Sequence, residues 1–212
     1  MAYYRPIAMT DPYRPDTAHT LAGGWCWFTH AQRLERGQPS RLVSAAEIPD
    51  DILHRLTATR APIAGLDMGA PKIMGILNVT PDSFSDGGLF NAPDAALIQA
   101  RTMVADGADI LDVGGESTRP GAATVDVDQE IARTAQVIAA ILADASTPIS
   151  IDTRKARVAQ AALAAGASLV NDVSAFTFDP DMARVTAQTG APCCLMHAQG
   201  DPATMQDAPT YD

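Results

Sequence analysis

The sequence predicts an α/β fold of the TIM-barrel type, in which parallel strands alternate with helices around a (β/α)₈ barrel. Five short apolar segments alternate with amphipathic helical segments from Met74 onward, which is the pattern of βαβ units and a parallel sheet. Polar residues follow each apolar segment, and barrels and open parallel sheets both bind ligands at the carboxyl ends of their strands. A dinucleotide-binding sheet is disfavoured because no Gly-x-Gly-x-x-Gly follows the first strand.

The strands and helices are predicted in regular alternation. The predicted strands are Met74–Asn78, Ile110–Val113, Pro148–Ile151, Ser168–Val170 and Cys193–Met196. The predicted helices are Ala92–Asp106, Asp126–Asp144, Thr153–Ala165 and Pro180–Thr189. Three of these helices are followed closely by a glycine, the residue type that most often ends a helix. A closed barrel has eight strands, so five strands predict a barrel that is truncated after the fifth.

Residues 1–70 are predicted to form an N-terminal extension, and residues 71–212 to form the partial barrel. The extension contains Trp25 and Trp27 in an alternating stretch, which predicts a short strand or hairpin. Its seven basic and seven acidic residues cancel. The net charge of −10 therefore comes from residues 71–212, which hold eight basic and eighteen acidic residues. We assign no chemistry to the extension.

The acidic charge of the predicted barrel argues against two classes of partner. Nucleic acids and anionic membrane surfaces both attract basic proteins. No apolar run approaches the roughly 20 residues that span a bilayer, and the amino terminus lacks the apolar segment of a secretory signal. The three cysteines are not spaced as metal ligands, and free thiols fit the reducing cytosol. We therefore expect a cytoplasmic protein that binds neither nucleic acid nor membranes.

Two loops carry the residue types of a binding site. The first follows Asn78 and holds two carboxylates, two hydroxyls and Phe84 before a pair of glycines. A large aromatic residue among carboxylates and hydroxyls is unusual for a surface loop unless a ligand contacts it. The second follows Val113 and reads Gly-Gly-Glu-Ser-Thr-Arg-Pro-Gly. The later strand ends supply Asp152, Asn171 with Asp172, and His197.

Together these motifs resemble dihydropteroate synthase over residues 72–212. The matching segments are Met74–Gly88, Asp112–Gly121, Ile151–Thr153, Val170–Asp172 and Cys194–His197 with Gln199-Gly200. The resemblance implies a (β/α)₈ barrel of the pterin-binding type and an enzyme of folate biosynthesis that is a homodimer when complete. The implied reaction joins 6-hydroxymethyl-7,8-dihydropterin diphosphate to p-aminobenzoate, with Mg²⁺ as cofactor, and yields dihydropteroate and diphosphate. Family members continue with three further βα units, which supply a lysine, an arginine and a histidine and which we expect this chain to lack.

The resemblance also implies roles for individual residues. Those implied to act catalytically are Asp86, Thr118 and Arg119. Those implied to bind p-aminobenzoate on the two loops are Ser83, Phe84, Thr118 and Pro120. Those implied to bind the pterin ring are Asp152, Asn171 and Met196. The implied metal ligand is Asn78, whose amide oxygen suits Mg²⁺, and His197 is implied to shape the pocket.

Other interpretations compete with these roles. Asp152 could cap the helix predicted to begin at Thr153, and Asn171 with Asp172 could form an ordinary turn. Arg154 and Lys155 are expected to lie at a solvated helix start and have no role. Two alternative functions also stay open. A non-catalytic pterin-binding paralogue or fragment would bind without turnover, and a barrel like methyltetrahydrofolate methyltransferase would have no need of the two long loops.

Overall fold

The computed structural model describes residues 2–80, 92–117, 124–197, 199 and 208–210 of the chain. The chain divides into two compact units. The first comprises Met1–Ile63 and Asp67–Pro71, and the second comprises Ala64–Leu66 and Lys72–Asp212. No helix in the described ranges has the length and apolar character needed to cross a bilayer.

The first unit is mainly antiparallel. Its strands are β1 (Ala2–Pro6), β2 (His19–Thr20), β3 (Trp27–Phe28), β4 (His30–Glu35) and β5 (Arg41–Ser44), followed by a 3₁₀ turn (Ala45–Glu47) and helix α1 (Asp50–Thr57). Strands β1, β4 and β5 form one sheet in that order, and β2 pairs with β3. Phe28, Ala31 and Val43 form the centre of its core. The prediction of a short strand or hairpin was therefore incomplete, because β4 reads His-Ala-Gln-Arg-Leu-Glu and shows no regular alternation of apolar and polar residues.

The second unit alternates strands with helices as predicted. Its elements are β6 (Met74–Asn78), α2 (Ala92–Ala105), β7 (Ile110–Gly114), α3 (Val127–Asp144), β8 (Ile149–Asp152), α4 (Ala156–Ala164), β9 (Leu169–Asp172), α5 (Met182–Thr189) and β10 (Cys193–Leu195). The five strands form one parallel sheet, and their spatial order follows their order in the chain. This confirms the predicted parallel α/β arrangement. Sequential order without a reversal is what successive units of a barrel produce, whereas an open doubly wound sheet reverses its strand order.

The core of the second unit lies between the sheet and helices α2 to α5. Its fully buried side chains include Leu77, Leu111, Ile138, Ile151 and Met182. Burial of one large aliphatic side chain is worth about 1.5–3 kcal/mol, so this cluster fixes the strands rigidly beneath their carboxyl ends. A rigid sheet is the support that a binding site at those ends requires.

Helix α4 begins three residues later than predicted, at Ala156 instead of Thr153. The intervening side chains of Thr153 and Lys155 turn into the protein and form buried hydrogen bonds. The amide of Ala156 is capped by Asp179 Oδ2 at 2.8 Å, from the connection between β9 and α5. Asp152 is therefore not the cap of this helix, which removes the structural alternative considered for it.

Candidate functional site

Strand register aligns the predicted site residues in one row across the sheet. Asn78 pairs with Gly114, Gly114 with Asp152, Asp152 with Asn171, and Asn171 with Cys194. Partners in a parallel ladder project to the same face of the sheet, and so do residues two positions apart in one strand. The row thus places the side chains of Asn78, Asp152 and Asn171 on one face at the carboxyl edge.

Asp112 lies two positions before Gly114 on β7, so its side chain projects to the same face as the row. It is only 4% exposed, and its Oδ2 accepts a hydrogen bond of 2.9 Å from Asn171 Nδ2. A carboxylate only accepts, so this bond fixes the orientation of the Asn171 amide. The carbonyl oxygen of Asn171 is left as an acceptor for another group.

Several buried oxygen atoms in this region have no partner among the described residues. They are Asp112 Oδ1, Asp152 Oδ1 and Ser150 Oγ. A buried polar atom without a hydrogen bond costs about 1–3 kcal/mol, and few are tolerated in native proteins. Two of the three are carboxylate oxygens, which only accept. The arrangement therefore suits a ligand that presents several N–H donors together.

The electrostatics of Asp152 agree with such a role. Burial and, after it, the carboxylates of Asp112, Glu130 and Asp172 raise the pKa of its carboxyl to about 7, while Arg154 opposes them. The ionised form is thus disfavoured until an opposite charge or N–H donors approach. Strongly shifted pKa values of this kind concentrate at functional sites.

Asp172 has a structural role beside the site. Its Oδ1 accepts from the backbone N–H and hydroxyl of Ser174, at 2.8 and 2.6 Å, and its Oδ2 accepts from the Phe176 N–H at 2.8 Å. Phe176 has a left-handed backbone with φ of 67°, which costs energy for a bulky residue. Asp172 therefore stabilises the turn after β9, as one of the alternatives expected, while its neighbour Asn171 faces the row.

The predicted solvated helix start at Arg154 and Lys155 was wrong. Lys155 is 5% exposed, and its ammonium donates three hydrogen bonds of 2.6 Å, to Glu116, Glu130 and the carbonyl of Val125. Arg154 donates to Glu116 at 2.7 Å. Two cations and two carboxylates therefore form a neutral buried cluster, which we call the Lys155 cluster.

The protonation of Glu116 reflects its place in the Lys155 cluster. Burial alone would raise the pKa of its carboxyl. Hydrogen bonds from Lys155, Arg154 and the Val125 amide outweigh that effect and hold the pKa below the ordinary range. Glu116 is therefore a fixed negative charge beside the site, unlike Asp152.

The side-chain oxygens of Asn78 and Asp152 lie close to Gly114. A Cβ atom at position 114 would lie 3.5 Å from Asp152 Oδ2 and 3.6 Å from Asn78 Oδ1, so any larger side chain would fill the gap between the two oxygens. No group of three His, Cys, Asp or Glu residues within the described ranges could hold a metal ion by itself. A cation here would need most of its ligands from a bound anion and water.

The remaining predicted residues divide into two sets. Met196 follows β10, is half-buried, and donates its amide to the Asp172 carbonyl at 3.2 Å, and His197 is exposed beside it. Six predicted residues lie outside the described residues, namely Ser83, Phe84, Asp86, Thr118, Arg119 and Pro120. Their predicted roles stay predictions.

Three buried residues around the site, Asp112, Lys155 and Glu130, were not predicted from the sequence to have a role. Asp112 is a carboxylate within the otherwise apolar strand Ile-Leu-Asp-Val-Gly, a signal that could have identified it. Lys155 is one of only two lysines in the chain, and it lies three residues after a strand end. Glu130 gives no such signal, because acidic residues are common in the first turn of a helix.

Comparison with known proteins identifies relatives of the second unit. The family model described as pterin binding enzyme matches residues 74–212. A dihydropteroate synthase of Synechocystis sp. is 55% identical over 139 residues, which are 66% of this chain and 48% of that protein. The dihydropteroate synthase of Escherichia coli is 50% identical over 147 residues, 69% of this chain and 52% of that protein. The chain thus spans about half the length of the curated relatives that it matches.

Solved structures give the same result. Dihydropteroate synthase of Xanthomonas albilineans with 4-aminobenzoic acid aligns with a TM-score of 0.64 at 46% identity, over 70% of this chain and 53% of that one. The same enzyme in complex with 7,8-dihydropteroate aligns with a TM-score of 0.59 at 40% identity, over 69% and 50%. These findings confirm the resemblance inferred from the motifs and the barrel type of the parallel sheet.

We expect the charge of Asp152 to make the protein less stable as pH rises. The native pKa of about 7 lies above the ordinary value of 3.8, so the native state binds more protons between these pH values. The free energy of unfolding should therefore fall between about pH 4 and pH 7, by an amount on the order of 2–4 kcal/mol. Asp152→Asn should remove this part of the fall in urea denaturation curves.

The matched control is Asp106→Asn, at an exposed position after α2. It should retain the pH dependence of the parent protein. Equal pH dependence in Asp152→Asn and in the parent would show that the Asp152 carboxyl is not buried as described.

Proposed function

We propose that the strand ends of this chain hold a pterin ring for the dihydropteroate synthase reaction. The chain belongs to the pterin binding enzyme family. The observation that carries the proposal is the row of buried acceptors at Asp112, Asp152 and Asn171, two of which have unpartnered carboxylate oxygens. Dihydropteroate synthases are also the relatives of this unit by sequence and by structure.

A pterin ring offers the donors that these acceptors lack. Its aminopyrimidinone edge presents an amino group and an adjacent ring N–H, which one carboxylate can accept together. Asp152 is the candidate for this paired contact, and the fixed carbonyl oxygen of Asn171 accepts a further donor. An analogue without these N–H groups would leave buried oxygens unpaired, and sites of this kind discriminate by about 10⁴-fold or more.

The proposed reaction is a displacement at the methylene carbon of the pterin. The amine nitrogen of p-aminobenzoate forms a C–N bond, the C–O bond to diphosphate breaks, and diphosphate leaves with the electron pair while the amine loses a proton. Positive charge develops on the methylene carbon and the ring. The negative carboxylate of Asp152 stabilises that positive charge in the transition state, which lowers the barrier.

The two long loops are proposed to bind the second substrate, p-aminobenzoate. Asp86, Thr118 and Arg119 are proposed to act on the reacting groups, and Ser83, Phe84 and Pro120 to bind p-aminobenzoate with Thr118. Two related structures are complexes with 4-aminobenzoic acid and with 7,8-dihydropteroate. Loops that surround both substrates would exclude water, which competes with the amine for the electrophilic carbon.

Mg²⁺ is proposed to bind with the diphosphate group rather than alone. The absence of a side chain at Gly114, next to Asn78 Oδ1 and Asp152 Oδ2, is compatible with this arrangement. Mg²⁺ keeps several waters and commonly combines few protein ligands with substrate phosphates. When bound, the ion would neutralise charge on the leaving diphosphate, and Asn78 would fix its position relative to the pterin ring.

A cytoplasmic location and a homodimer are further parts of the proposal. The cysteines of the described chain, Cys26, Cys193 and Cys194, are all free, which fits a reducing compartment. The homodimer rests on the family resemblance alone. Cell fractionation and light scattering test these two points, and a membrane-bound or strictly monomeric protein would contradict them.

Proton release on pterin binding tests the proposed function directly. At pH 7 the Asp152 carboxyl is about half protonated because its pKa is about 7, and N–H donors favour the ionised form. Binding of 6-hydroxymethylpterin should therefore release about half a proton per site. Calorimetry in buffers of different ionisation enthalpy measures this number.

Asp152→Asn should abolish the release and weaken binding by at least about tenfold, or 1.4 kcal/mol, while Asp106→Asn should bind as the parent does. Tight binding without proton release, or release that survives in Asp152→Asn, would contradict the assignment of Asp152. Pterin binding without formation of dihydropteroate would instead favour the non-catalytic paralogue.

A second test separates the metal from the ring. We expect Mg²⁺ to strengthen binding of the pterin diphosphate but not of the pterin alcohol, since the ion contacts phosphate oxygens. Asn78→Ala should reduce the Mg²⁺-dependent gain by about tenfold and leave the affinity for the alcohol unchanged. An equal loss for both ligands in calorimetric titrations would place Asn78 against the ring instead.

A further inference from the structure

We propose that Asp112 is a positioning residue that makes the site selective for N–H donors, because it allows the Asn171 side chain only one orientation. This role rests on the proposed function, since it concerns how the same site distinguishes a pterin from ligands of similar shape. Asp112 is not proposed to contact the ring itself. It is only 4% exposed, whereas Asn171 is half-buried and lies in the row of acceptors.

The hydrogen bond between Asp112 and Asn171 crosses a strand. β8 lies between β7 and β9 in the sheet, and neighbouring strands are about 4.8 Å apart. Asn171 Nδ2 nevertheless lies 2.9 Å from Asp112 Oδ2, across the face of β8 that carries Ser150 and Asp152. The two side chains therefore meet above β8, and Asn171 is held by a residue two strands away.

The chemistry of this bond decides which end of the amide is available to a ligand. A carboxylate only accepts, whereas a side-chain amide has a donor end and an acceptor end. If the Asn171 amide turned over, its carbonyl oxygen would face Asp112 Oδ2, and two acceptors without a proton between them repel each other. Loss of the hydrogen bond alone makes the turned orientation less populated by about tenfold or more. Asn171 therefore offers its carbonyl oxygen to a ligand donor and cannot present its amino group in place of that oxygen.

Stability is a weak explanation for a carboxylate at this position. Asp112 interrupts the otherwise apolar strand Ile-Leu-Asp-Val-Gly, and its Oδ1 is buried without a partner among the described residues. Glu116 is paired with Lys155 and Arg154, but no ion pair in the described part of the chain includes Asp112. A buried charge without a cation lowers stability. Specific sites often contain a repulsive element that excludes the wrong ligand, and Asp112 supplies one.

The test compares two ligands that differ at one end of the ring system. 6-Hydroxymethylpterin carries an amino group at C2, and 6-hydroxymethyllumazine carries a carbonyl oxygen there. The variant is Asp112→Asn, which keeps the size of the side chain and can either accept from Asn171 or donate to it. In this variant Asn171 can turn over and donate to the carbonyl oxygen of the lumazine. Asp106→Asn, at an exposed position after α2, is the matched control.

The measured quantity is the preference for the pterin, which is the ratio of the two dissociation constants from NMR-detected titrations. We expect Asp112→Asn to bind the lumazine about tenfold or more tightly than the parent does, and to keep its affinity for the pterin within about threefold. The preference should therefore fall by about tenfold, while Asp106→Asn should retain the parental value. Asp112→Ala, which removes the carboxylate without adding atoms, should change the preference in the same direction and serves if Asp112→Asn does not fold.

The direction of the change separates positioning from a general effect of charge. The Asp112 carboxylate contributes to the raised pKa of Asp152, so its removal favours the ionised form of Asp152, which only accepts. Charge alone would therefore increase the preference for the pterin, which is the opposite result. Asn171→Ala has no amide that could turn over, so adding Asp112→Asn to Asn171→Ala should not lower the preference.

The outcomes separate this role from the proposed function. An unchanged or larger preference in a folded Asp112→Asn protein, or an equal fall in the Asn171→Ala background, overturns the role of Asp112 while the proposed function stands. So does a parent protein that binds both ligands equally well. Loss of the folded state in both Asp112 variants, seen in urea denaturation curves, would assign Asp112 to the fold and overturn the role as well. A parent protein that binds no pterin overturns the proposed function and the role of Asp112 with it.

Discussion

The site depends on how the carboxylates buried at the carboxyl ends of the parallel strands are stabilised. A buried carboxylate must be neutralised by a cation, protonated, or hydrogen-bonded. Glu116 and Glu130 are neutralised by Lys155 and Arg154 within the protein. Asp152 has no such partner, and its buried Oδ1 is left without a hydrogen bond in the described structure. A ligand with N–H donors is the remaining means of stabilising its charge.

These two groups of carboxylates are adjacent and influence each other. Glu130, although neutralised by Lys155, still contributes to the raised pKa of Asp152, and Arg154 lowers it. Arg154 is itself held in place by Glu116 at 2.7 Å and by the face of Phe178, whose ring centre is 4.2 Å from the guanidinium carbon. The Lys155 cluster therefore affects the pKa of Asp152 as well as lying beside it, and a change in the cluster alters the charge state of the site.

Much of this architecture was predictable because apolar residues recur along the sequence at the spacing of strands and helices. The strands β6 to β10 and helices α2 to α5 follow apolar patterns of the sequence, and polar residues at strand ends indicated Asp152 and Asn171. The errors arose where side-chain direction decides the outcome. Lys155 was predicted to be solvated, as lysines at helix starts usually are, but a helix that begins at Ala156 turns it inward. No local pattern shows that Glu116 and Glu130, far apart in sequence, meet at one ammonium group.

The proposed role of Asp152 is best tested by the pKa of its carboxyl, obtained by ¹³C NMR of the side-chain carboxyl carbon. The signal is assigned by its loss in Asp152→Asn, and the titration is repeated with saturating 6-hydroxymethylpterin. We expect a pKa of about 7 in the free protein and a clearly lower value in the complex, since the pterin donors favour the ionised form. A pKa near the ordinary 3.8 in the free protein, or a pKa that does not change on binding, would contradict the role proposed for Asp152.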